Sequence, residues 1–486
     1  MNVADWLPEL LFTSHWLIVI GLSLRVIHLR RPVGVTLAWF LILLALPFVG
    51  AGFYLMLGEN RFSERYTKLA GEVHAQYAEF QARLRERVDQ DRVTITDAAR
   101  SLKRHATRVV GFPAIPDNDV VLLGEWQLFF EHLIEDVRAA RSSVHLEFYI
   151  LSTGGLVDDL LLELEAARAR GVSVRILLDA VGSGPFLSRN ANLQRLRSAG
   201  IELGISHPVG FLRALLSRID LRNHRKNAVI DGEVAYTGSQ NLVDPRFFKQ
   251  ESGVGQWIDA MARLRGPVVE AMGAAFAEDW QIATGKGLID VASTHDIKPQ
   301  PPAGTYDVQV IPSGPAFEPK AMQELLLTAL YAARESVVLT TPYFVPDDSL
   351  EMAIQSAALR GVDVTIIVPR KNDSTLVHFA SRSHFEDLME AGAKIAAYDG
   401  GLLHTKSIVI DNDFAVFGTV NLDMRSMWLN FELSLFVYDE RFACELRVLQ
   451  ESYLDHCEFF DLARWRARPM FERLRENVVR LVGPLL

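Results

Sequence analysis

An internal repeat is the feature that most constrains how this chain folds. Four segments from the first part of the chain recur, in the same order, in the second part. The pairs are SSVHLEFYIL (142–151) with ESVVLTTPYFV (335–345), ARARGVSVRILL (167–178) with AALRGVDVTIIV (357–368), LRSAGIEL (196–203) with LMEAGAKI (388–395), and HRKNAVIDGEVAYTGSQNL (224–242) with HTKSIVIDNDFAVFGTVNL (404–422). The repeat is longer than a solenoid unit, which spans roughly 20–50 residues. It therefore predicts two homologous units.

Each unit has the pattern of an α/β fold. The runs SVRILLDAV and DVTIIVP are rich in β-branched apolar residues, which is typical of strands buried on both faces. We expect two α/β sandwich halves in a pseudo-twofold arrangement, each ordered strand, helix, strand, helix, hairpin. The expected boundaries are 1–60 for two transmembrane helices, 61–115 for a charged helical linker, 116–293 for the first half, 294–305 for a Pro-rich linker, 306–470 for the second half and 471–486 for a C-terminal amphipathic helix.

The N-terminus predicts a membrane anchor. Residues 33–57 are 25 residues without a charged side chain. A helix of that length measures about 37 Å, enough to cross a hydrocarbon core of about 30 Å. Pro47 is a candidate kink, and residues 10–24 form a second, shorter uncharged stretch. We expect a transmembrane hairpin, whose orientation stays open because basic residues follow both spans; they are Arg25, Arg30, Arg31, Arg61, Arg65 and Lys68.

Composition narrows the classes of protein further. The net charge is −10, whereas proteins that bind nucleic acid usually carry a basic excess, so we expect no nucleic-acid partner. Two cysteines exclude a disulfide framework and a four-cysteine zinc site. The C-terminal stretch MFERLRENVVRLVGPLL is amphipathic. It predicts either a helix that packs on the core or a helix that lies in a membrane interface.

The chemistry lies in the last repeated segment. It contains H-x-K-x4-D followed by G-[S/T]-x-N, and both copies keep the same offsets. One such motif arises easily by chance, but two copies with matching flanks do not. The motif residues are His224, Lys226, Asp231, Gly238, Ser239 and Asn241 in the first copy, and His404, Lys406, Asp411, Gly418, Thr419 and Asn421 in the second.

Strand geometry brings these residue types together. Side chains at positions i and i+2 of a strand share a face, so each histidine should point with the lysine that follows it. Turns at Asp231 and Asp411 would close two hairpins, with His224 opposite about Gln240 and His404 opposite about Val420. Each half would then present imidazole, ammonium, hydroxyl and amide groups; the expected phosphate-binding residues are Ser239, Asn241, Thr419 and Asn421.

This set of groups suits a phosphodiester. Ammonium and amide groups bind non-bridging oxygens, one neutral imidazole attacks phosphorus and a second imidazole protonates the leaving alkoxide. One copy supplies half of these groups, so the two copies must meet. No acidic cluster accompanies the motifs, so we expect neither a metal nor a cofactor.

The carboxylates near the motifs fall into two groups. Asp231 and Asp411 lie at the turns, about 23 Å along the strand from the histidines, which favours a structural role. Other carboxylates must orient the imidazoles. The candidates are Glu432 for one histidine and Glu251 or Asp259 for the other.

At these motifs the chain resembles the phospholipase D superfamily, and within it the bacterial cardiolipin synthases with two HKD motifs. The blocks HRKNAVIDGEVAYTGSQNLVDPRFFKQ, VGQWIDAMARLRGP and HTKSIVIDNDFAVFGTVNLDMRSMWLNFELSL carry the resemblance, which covers essentially the whole chain. Thr419 stands where the superfamily usually has Ser, and it keeps the hydroxyl. The resemblance implies that His224, Lys226, Asp231, His404, Lys406 and Asp411 form the catalytic motifs.

The resemblance also implies a reaction and a location. Two phosphatidylglycerol molecules would yield cardiolipin and glycerol through a phosphatidyl-histidine, with His224 as nucleophile and His404 as general acid. The enzyme would be a multi-pass protein of the bacterial cytoplasmic (inner) membrane, and phosphatidylglycerol and cardiolipin in the bilayer would be its partners. The −10 charge requires local basic groups near an anionic lipid; the candidates, which a solvated face would equally explain, are Arg213, Arg218, Arg222 and Arg225.

Several alternatives stay open at this point. A phospholipase D hydrolase, or a synthase that uses phosphatidylethanolamine or a phosphatidylserine-type partner, would carry the same motifs. A nuclease uses the same chemistry, although the acidic charge and the apolar N-terminus argue against it. A membrane scaffold without activity would not need two intact motifs. The oligomeric state is not predicted.

Overall fold

The structure, a computed structural model, describes residues 3–29, 33–46, 48–59, 62, 64–88, 96–208, 218, 220–286, 297–316, 319–481 and 483. The chain forms two compact units. The smaller consists of Met1–Lys68 with Val209–Leu221, and the larger of Leu69–Pro208 with Arg222–Leu486.

Three apolar helices begin the chain: α1 (Val3–His28), α2 (Val33–Ala45) and α3 (Val49–Leu57). The uncharged stretch 33–57 contains two helices rather than one straight helix, because the chain bends after α2, where Phe48 has a left-handed φ of 60°. The candidate kink and three basic loop residues lie outside the described residues; they are Pro47, Arg30, Arg31 and Arg61.

Helix α1 is longer than the uncharged stretch 10–24 indicated. Among the described residues it is the one helix that is long and apolar enough to cross a membrane, over the 23 residues Trp6–His28. Helix α2 has 13 residues and by itself is shorter than the roughly 20 that a span requires. The better-supported span therefore lies before residue 33 rather than after it.

An ion pair joins the two ends of this helical group. Arg25 near the end of α1 donates two hydrogen bonds to the Glu59 carboxylate, at 2.6 and 2.9 Å, and the Tyr54 hydroxyl donates a third at 2.5 Å. Glu59 is buried, so this pairing balances a charge that would be costly alone.

Two helices follow the apolar helices along the chain: α4 (Glu64–Arg87) and α5 (Asp97–Val110). The Thr96 side chain caps α5 by accepting a hydrogen bond from the Ala99 amide. Tyr77 and Phe80 of α4 and Leu102 of α5 pack into the main core of the larger unit. Although both helices are rich in charged residues, each has an apolar face that packs on the core.

The first half follows the predicted alternation of strands and helices. Its elements are β1 (Ile115–Leu123), α6 (Trp126–Ala139), β2 (Ser143–Phe148), α7 (Leu156–Ala169), β3 (Ser173–Asp179), α8 (Gly184–Leu187), α9 (Asn190–Ser198), β4 (Glu202–Ser206), β5 (Arg222–Asn223), β6 (Lys226–Ile230), β7 (Val234–Gly238), β8 (Trp257–Ile258), β9 (Met261–Arg265) and α10 (Val268–Thr284).

The second half repeats this order, and two further helices end the chain. Its elements are β10 (Tyr306–Ser313), α11 (Ala321–Ala332), β11 (Ser336–Thr340), β12 (Phe344–Val345), α12 (Asp348–Leu359), β13 (Asp363–Pro369), α13 (Thr375–Arg382), α14 (Phe385–Glu390), β14 (Lys394–Tyr398), β15 (Leu402–Leu403), β16 (Ser407–Ile410), β17 (Phe414–Gly418), β18 (Leu422–Asp423), α15 (Met424–Trp428), β19 (Asn430–Val437), α16 (Glu440–Leu454), β20 (Cys457–Phe459), α17 (Leu462–Arg466) and α18 (Met470–Arg480).

One sheet runs through both halves. Within the described residues its strand order is β20-β14-β13-β11-β16-β17-β19-β10-β1-β9-β7-β6-β2-β3-β4, with β5 beside β19. Strands from equivalent repeat positions lie at equivalent places on either side of the central antiparallel pair β1–β10. The arrangement confirms the predicted duplicated α/β fold and its pseudo-twofold order.

Both motif aspartates hold a turn in place. The Asp231 carboxylate accepts hydrogen bonds from the backbone amides of Arg141, Ser142 and Ser143, at 2.7–2.8 Å, just before β2. Burial raises the pKa of this carboxyl, but the amides outweigh burial and lower the pKa overall.

Asp411 makes the equivalent bonds in the second half. Its carboxylate accepts from the amides of Arg334, Glu335 and Ser336, just before β11. Both aspartates also have left-handed backbone φ angles, 53° for Asp231 and 52° for Asp411. They tie each hairpin turn to the neighbouring strand, which supports the structural role that the odd spacing indicated.

Replacing Asp231 by Ala should destabilise the fold. Three backbone amides lose a charged acceptor, which costs on the order of 2 kcal/mol. The variant should melt several degrees lower by circular dichroism in detergent at neutral pH, and Asp159→Ala, an exposed carboxylate on α7, should not. The loss of stability relative to the wild-type protein should be largest above the ordinary pKa of an aspartate. It should vanish as the pH falls through the lowered pKa of Asp231. Equal melting of both variants at neutral pH would contradict the assigned role.

Candidate active site

The two motif hairpins have the predicted register. Asn227 pairs with Thr237 in the first hairpin, and Ser407 pairs with Phe417 in the second. The ladder begins after each histidine rather than including it. Instead, the backbone amide of His224 donates to the Phe431 carbonyl, at 2.9 Å, and that of His404 donates to the Ile258 carbonyl, at 2.8 Å. Each histidine is therefore positioned by the other half.

Two short parallel strand pairs hold each histidine loop against the other half. Strand β5, just before His224, pairs with the start of β19 in the second half. Strand β15, just before His404, pairs with β8 in the first half. The receiving strands lead directly into Asp259 and Glu432, so the same pairing that holds each histidine loop brings a carboxylate to it.

Each imidazole is paired with a carboxylate of the opposite half. His224 Nδ1 lies 2.9 Å from a Glu432 oxygen, and His404 Nδ1 lies 2.6 Å from Asp259 Oδ1. The alternative candidate Glu251 is exposed in the 3-10 turn Gln250–Ser252, away from these pairs, which corrects that proposal. An ionised carboxylate only accepts, so Nδ1–H donates in both pairs and Nε2 keeps its lone pair.

Burial favours the neutral form of both imidazoles. It lowers the pKa of His224 to about 4; Lys226 and Lys406 add to this effect, and Glu432 opposes it. The pKa of His404 is lowered to about 4 by burial in the same way, against the opposing charge of Asp259. Neutral imidazole is the nucleophilic form.

The paired carboxylates remain ionised. Burial raises the pKa of Glu432, but His224, Lys226 and the hydroxyl of Thr419 outweigh burial and lower it. The pKa of Asp259 is lowered by the equivalent groups, His404, Lys406 and Ser239. An ionised carboxylate stabilises the imidazolium that forms when a histidine takes up a proton.

The motif lysines are buried beside their histidines. Lys226 Nζ donates to the His224 carbonyl at 2.8 Å, and Lys406 Nζ donates to the His404 carbonyl at 2.5 Å. Burial lowers the pKa of Lys226 to about 8 and that of Lys406 to about 7. A bound phosphate would oppose this effect, so the pair can supply positive charge where an anion binds.

Ser239 and Thr419 do not take the place expected for phosphate ligands. The Ala260 amide donates to the Ser239 hydroxyl at 3.0 Å, and the Leu433 amide donates to the Thr419 hydroxyl at 2.8 Å. The Thr419 hydroxyl in turn donates to Glu432 at 2.5 Å. Both side chains are fully buried, so they hold the orienting carboxylates instead of a ligand.

Asn241 and Asn421 do reach the cavity that contains both histidines. This cavity has a volume of about 550 Å³ and is lined by both Asn side chains together with His224 and His404. The Asn241 carbonyl oxygen accepts from the Ile150 amide at 3.1 Å, which directs its amide group. The two halves thus contribute equivalent imidazole and amide groups to one space.

Aromatic side chains form much of the cavity wall, and sequence reasoning missed them. The Tyr149 ring lies 5.0 Å from that of His224, and the Trp257 ring lies 4.3 Å from that of His404. Each copy of the first repeated segment carries a tyrosine near its end, Tyr149 and Tyr343, and this recurrence was the available signal. Tyr343 and Phe248 also line the cavity, so much of its surface is apolar.

Some basic side chains near the motifs line the cavity, and others are buried in ion pairs. Arg222, Arg425 and Lys249 line the cavity. Arg225 is buried in an ion pair with Asp279, which corrects its proposed role as a lipid contact. Arg218 pairs with Asp220, and Arg213 lies outside the described residues.

Comparisons with known proteins show which family this chain resembles. A family profile described as "Cardiolipin synthase, PLD-like domain" matches residues 133–280 and 326–453, and one described as "Phospholipase D-nuclease N-terminal" matches 16–59. Proteins named cardiolipin synthase A are 42% identical in Serratia proteamaculans and 43% identical in Yersinia pseudotuberculosis, each covering 100% of this chain and 99% of the relative.

A solved structure shows the same fold. The phosphatidylserine synthase of Haemophilus influenzae aligns with a TM-score of 0.59 and 15% identity, over 79% of this chain and 99% of that chain. Duplicated halves with an HKD motif in each define the phospholipase D-like class. Within that class, the chain belongs to the cardiolipin synthase family.

Neutralising either orienting carboxylate should reduce turnover. Asp259→Asn and Glu432→Gln keep the side-chain shape but remove the charge that fixes the imidazole tautomer and stabilises imidazolium. We expect kcat to fall by roughly 10²–10⁴-fold with a small change in KM. Glu251→Gln is the matched control and should retain normal kcat. A normal kcat for either buried variant, with wild-type melting, would contradict the assigned role.

Proposed function

We propose that this chain is a cardiolipin synthase that joins two phosphatidylglycerol molecules into cardiolipin and glycerol. The observation that carries the proposal is the pair of exchanged His–carboxylate contacts at one cavity, in a chain 42% identical over its full length to a protein named cardiolipin synthase A. The two imidazoles are oriented alike, so that a neutral one provides the nucleophile and one that is protonated at Nε2 provides the proton donor for the same phosphorus.

The first half-reaction breaks the bond from phosphorus to glycerol. His224 Nε2 attacks the phosphorus and forms a P–N bond, while His404 Nε2–H gives its proton to the leaving glycerol oxygen. His224 suits the nucleophile because its side chain is 10% exposed, against 3% for His404. The negative charge of the bound phosphate raises the pKa of the nearby imidazoles, so His404 can carry the required proton.

The second half-reaction transfers the phosphatidyl group. A free hydroxyl of a second phosphatidylglycerol gives its proton to His404 and attacks the phosphorus. The P–N bond breaks, His224 returns to neutral imidazole, and cardiolipin is released. Lys226 and Lys406 balance the negative charge that develops on the non-bridging oxygens, with the amides of Asn241 and Asn421 beside them.

The cavity wall favours transfer over hydrolysis. Four aromatic side chains line the space around the histidines, namely Tyr149, Phe248, Trp257 and Tyr343. Apolar walls and bound lipid reduce the access of water to the intermediate, so that an alcohol competes successfully. The three basic groups Arg222, Lys249 and Arg425 would attract the anionic headgroups of both substrates.

The location is proposed from the N-terminus. Apolar helices and membership of this family indicate a membrane protein. We infer that α1 forms one span and that α2 with α3 forms a second, bent one, which makes the protein multi-pass in the bacterial cytoplasmic membrane.

Purified full-length protein tests the proposed reaction. With labelled phosphatidylglycerol in mixed micelles, we expect cardiolipin and glycerol in equal amounts. His224→Ala and His404→Ala should each lower the rate by at least roughly 10³-fold, since neither half contains both required groups. Phosphatidic acid as the only lipid product would instead show a hydrolase. Product formed only when phosphatidylethanolamine is added would show a different donor or acceptor.

A further inference from the structure

The last helix of the chain has an apolar outer face. Five residues of this face, spaced at helical intervals, are 55–83% exposed; they are Met470, Phe471, Leu474, Val478 and Leu481. At 3.6 residues per turn they fall on one side of α18 and its last turn, and no charged residue lies among them. We call this set the C-terminal apolar face. The predicted helix over 471–486 thus exists as Met470–Arg480, and residues 482 and 484–486 lie outside the described residues.

The same helix contacts the protein through its polar side. Glu476 is 2% exposed and accepts hydrogen bonds from Arg382 and Arg468, both at 2.8 Å. Arg480 donates to Glu351 of α12 at 3.1 Å. A helix that covers a soluble core buries its apolar side. Here the ion pairs orient the helix so that its apolar side faces outward, and of the two predictions for this stretch the geometry favours an interface with lipid.

Helix α18, which carries the C-terminal apolar face, is separated from the active-site cavity by a single helix. Helix α13 packs between α18 and the cavity: its Val377 lines the cavity and belongs to a cluster with Ala380 and Val345, against which Val479 of α18 packs. Leu376, on the same helix, is a further exposed apolar residue. A bilayer bound to α18 would therefore lie one helix away from the cavity that contains the histidines.

Basic residues border the C-terminal apolar face. Residues 462–481 contain six arginines and two glutamates, and four of these arginines form ion pairs with glutamates, namely Arg466, Arg468, Arg473 and Arg480. Arg475 lies beside the C-terminal apolar face, with its guanidinium 3.8 Å from the Phe379 ring centre. Basic residues that border an apolar helix face are typical of helices that bind anionic membrane interfaces.

We propose that α18 lies in the interface of an anionic bilayer and holds the cavity against the membrane from which it takes phosphatidylglycerol. This inference rests on the proposed function, because it supposes that the substrate is a bilayer lipid. The N-terminal helices attach the chain to the membrane, and α18 would add a contact on the catalytic unit itself.

Spin labels on the full-length protein test the contact directly. Cys444→Ser and Cys457→Ser remove the two native cysteines, and Leu474→Cys then carries the label. Leu359→Cys is the matched control, an exposed leucine at the end of α12. In vesicles of phosphatidylethanolamine and phosphatidylglycerol, the label at 474 should be more accessible to oxygen than to a water-soluble nickel chelate. The label at 359 should show the reverse order.

Two results would overturn the proposal. One is a label at 474 that is as accessible to nickel as the control. The other is spin–spin broadening at 474 that disappears when unlabelled protein is added, which would show that a second copy covers the face. Neither readout depends on turnover, so failure to make cardiolipin would refute the proposed function separately.

An activity measurement separates lipid contact from folding. Leu474→Glu combined with Val478→Glu should lower kcat/KM on vesicles by roughly tenfold, since charged side chains leave the apolar interface. The same variant should retain wild-type activity in mixed micelles, where detergent presents the substrate. Leu359→Glu should be normal in both. An equal loss in micelles and vesicles would show a structural role for the helix and contradict the proposal.

Discussion

The active site depends on one interaction, the pairing of each histidine with a carboxylate from the other half. His224 is oriented by Glu432, and His404 is oriented by Asp259, each across the interface between the repeats. Neither half alone contains an oriented imidazole. The short parallel pairs β5–β19 and β15–β8 bring the partners together, and the continuous sheet through β1 and β10 keeps them in register. Duplication therefore supplies two complementary halves of one site.

Burial gives these pairs their chemical character. Removing the imidazoles from water lowers their pKa, so they remain neutral beside ionised carboxylates and buried lysines. A phosphodiester that enters brings the negative charge that this cluster can accommodate. Ser239 and Thr419 support the same arrangement. The backbone amides that follow Asp259 and Glu432 donate to the two hydroxyls, and the Thr419 hydroxyl donates to Glu432. In each half, the G-[S/T]-x-N segment therefore supports the carboxylate that orients the histidine of the opposite half.

Much of the fold and part of the site were predictable from the sequence. The features that were not predictable depend on contacts between distant parts of the chain. The repeat and its apolar strands predicted the duplicated α/β fold, and the turn residues predicted the hairpin register. Neither histidine belongs to its own hairpin ladder, because the residues before it pair with the other half. The local sequence spacing does not reveal this long-range pairing. The choice of Asp259 over Glu251 depends on the same long-range pairing. The outward apolar side of α18 is set by ion pairs with the rest of the fold rather than by composition.

One measurement tests most directly whether two rings with different roles share one phosphorus. A phosphatidyl ester of p-nitrophenol needs no proton donor, because p-nitrophenolate is a good leaving group. Mixed with His404→Ala, it should release a burst of one equivalent of p-nitrophenolate and leave a phosphatidyl group on His224. Mixed with His224→Ala, it should release none. A burst from His224→Ala, or none from His404→Ala while the wild-type protein turns over, would contradict the account.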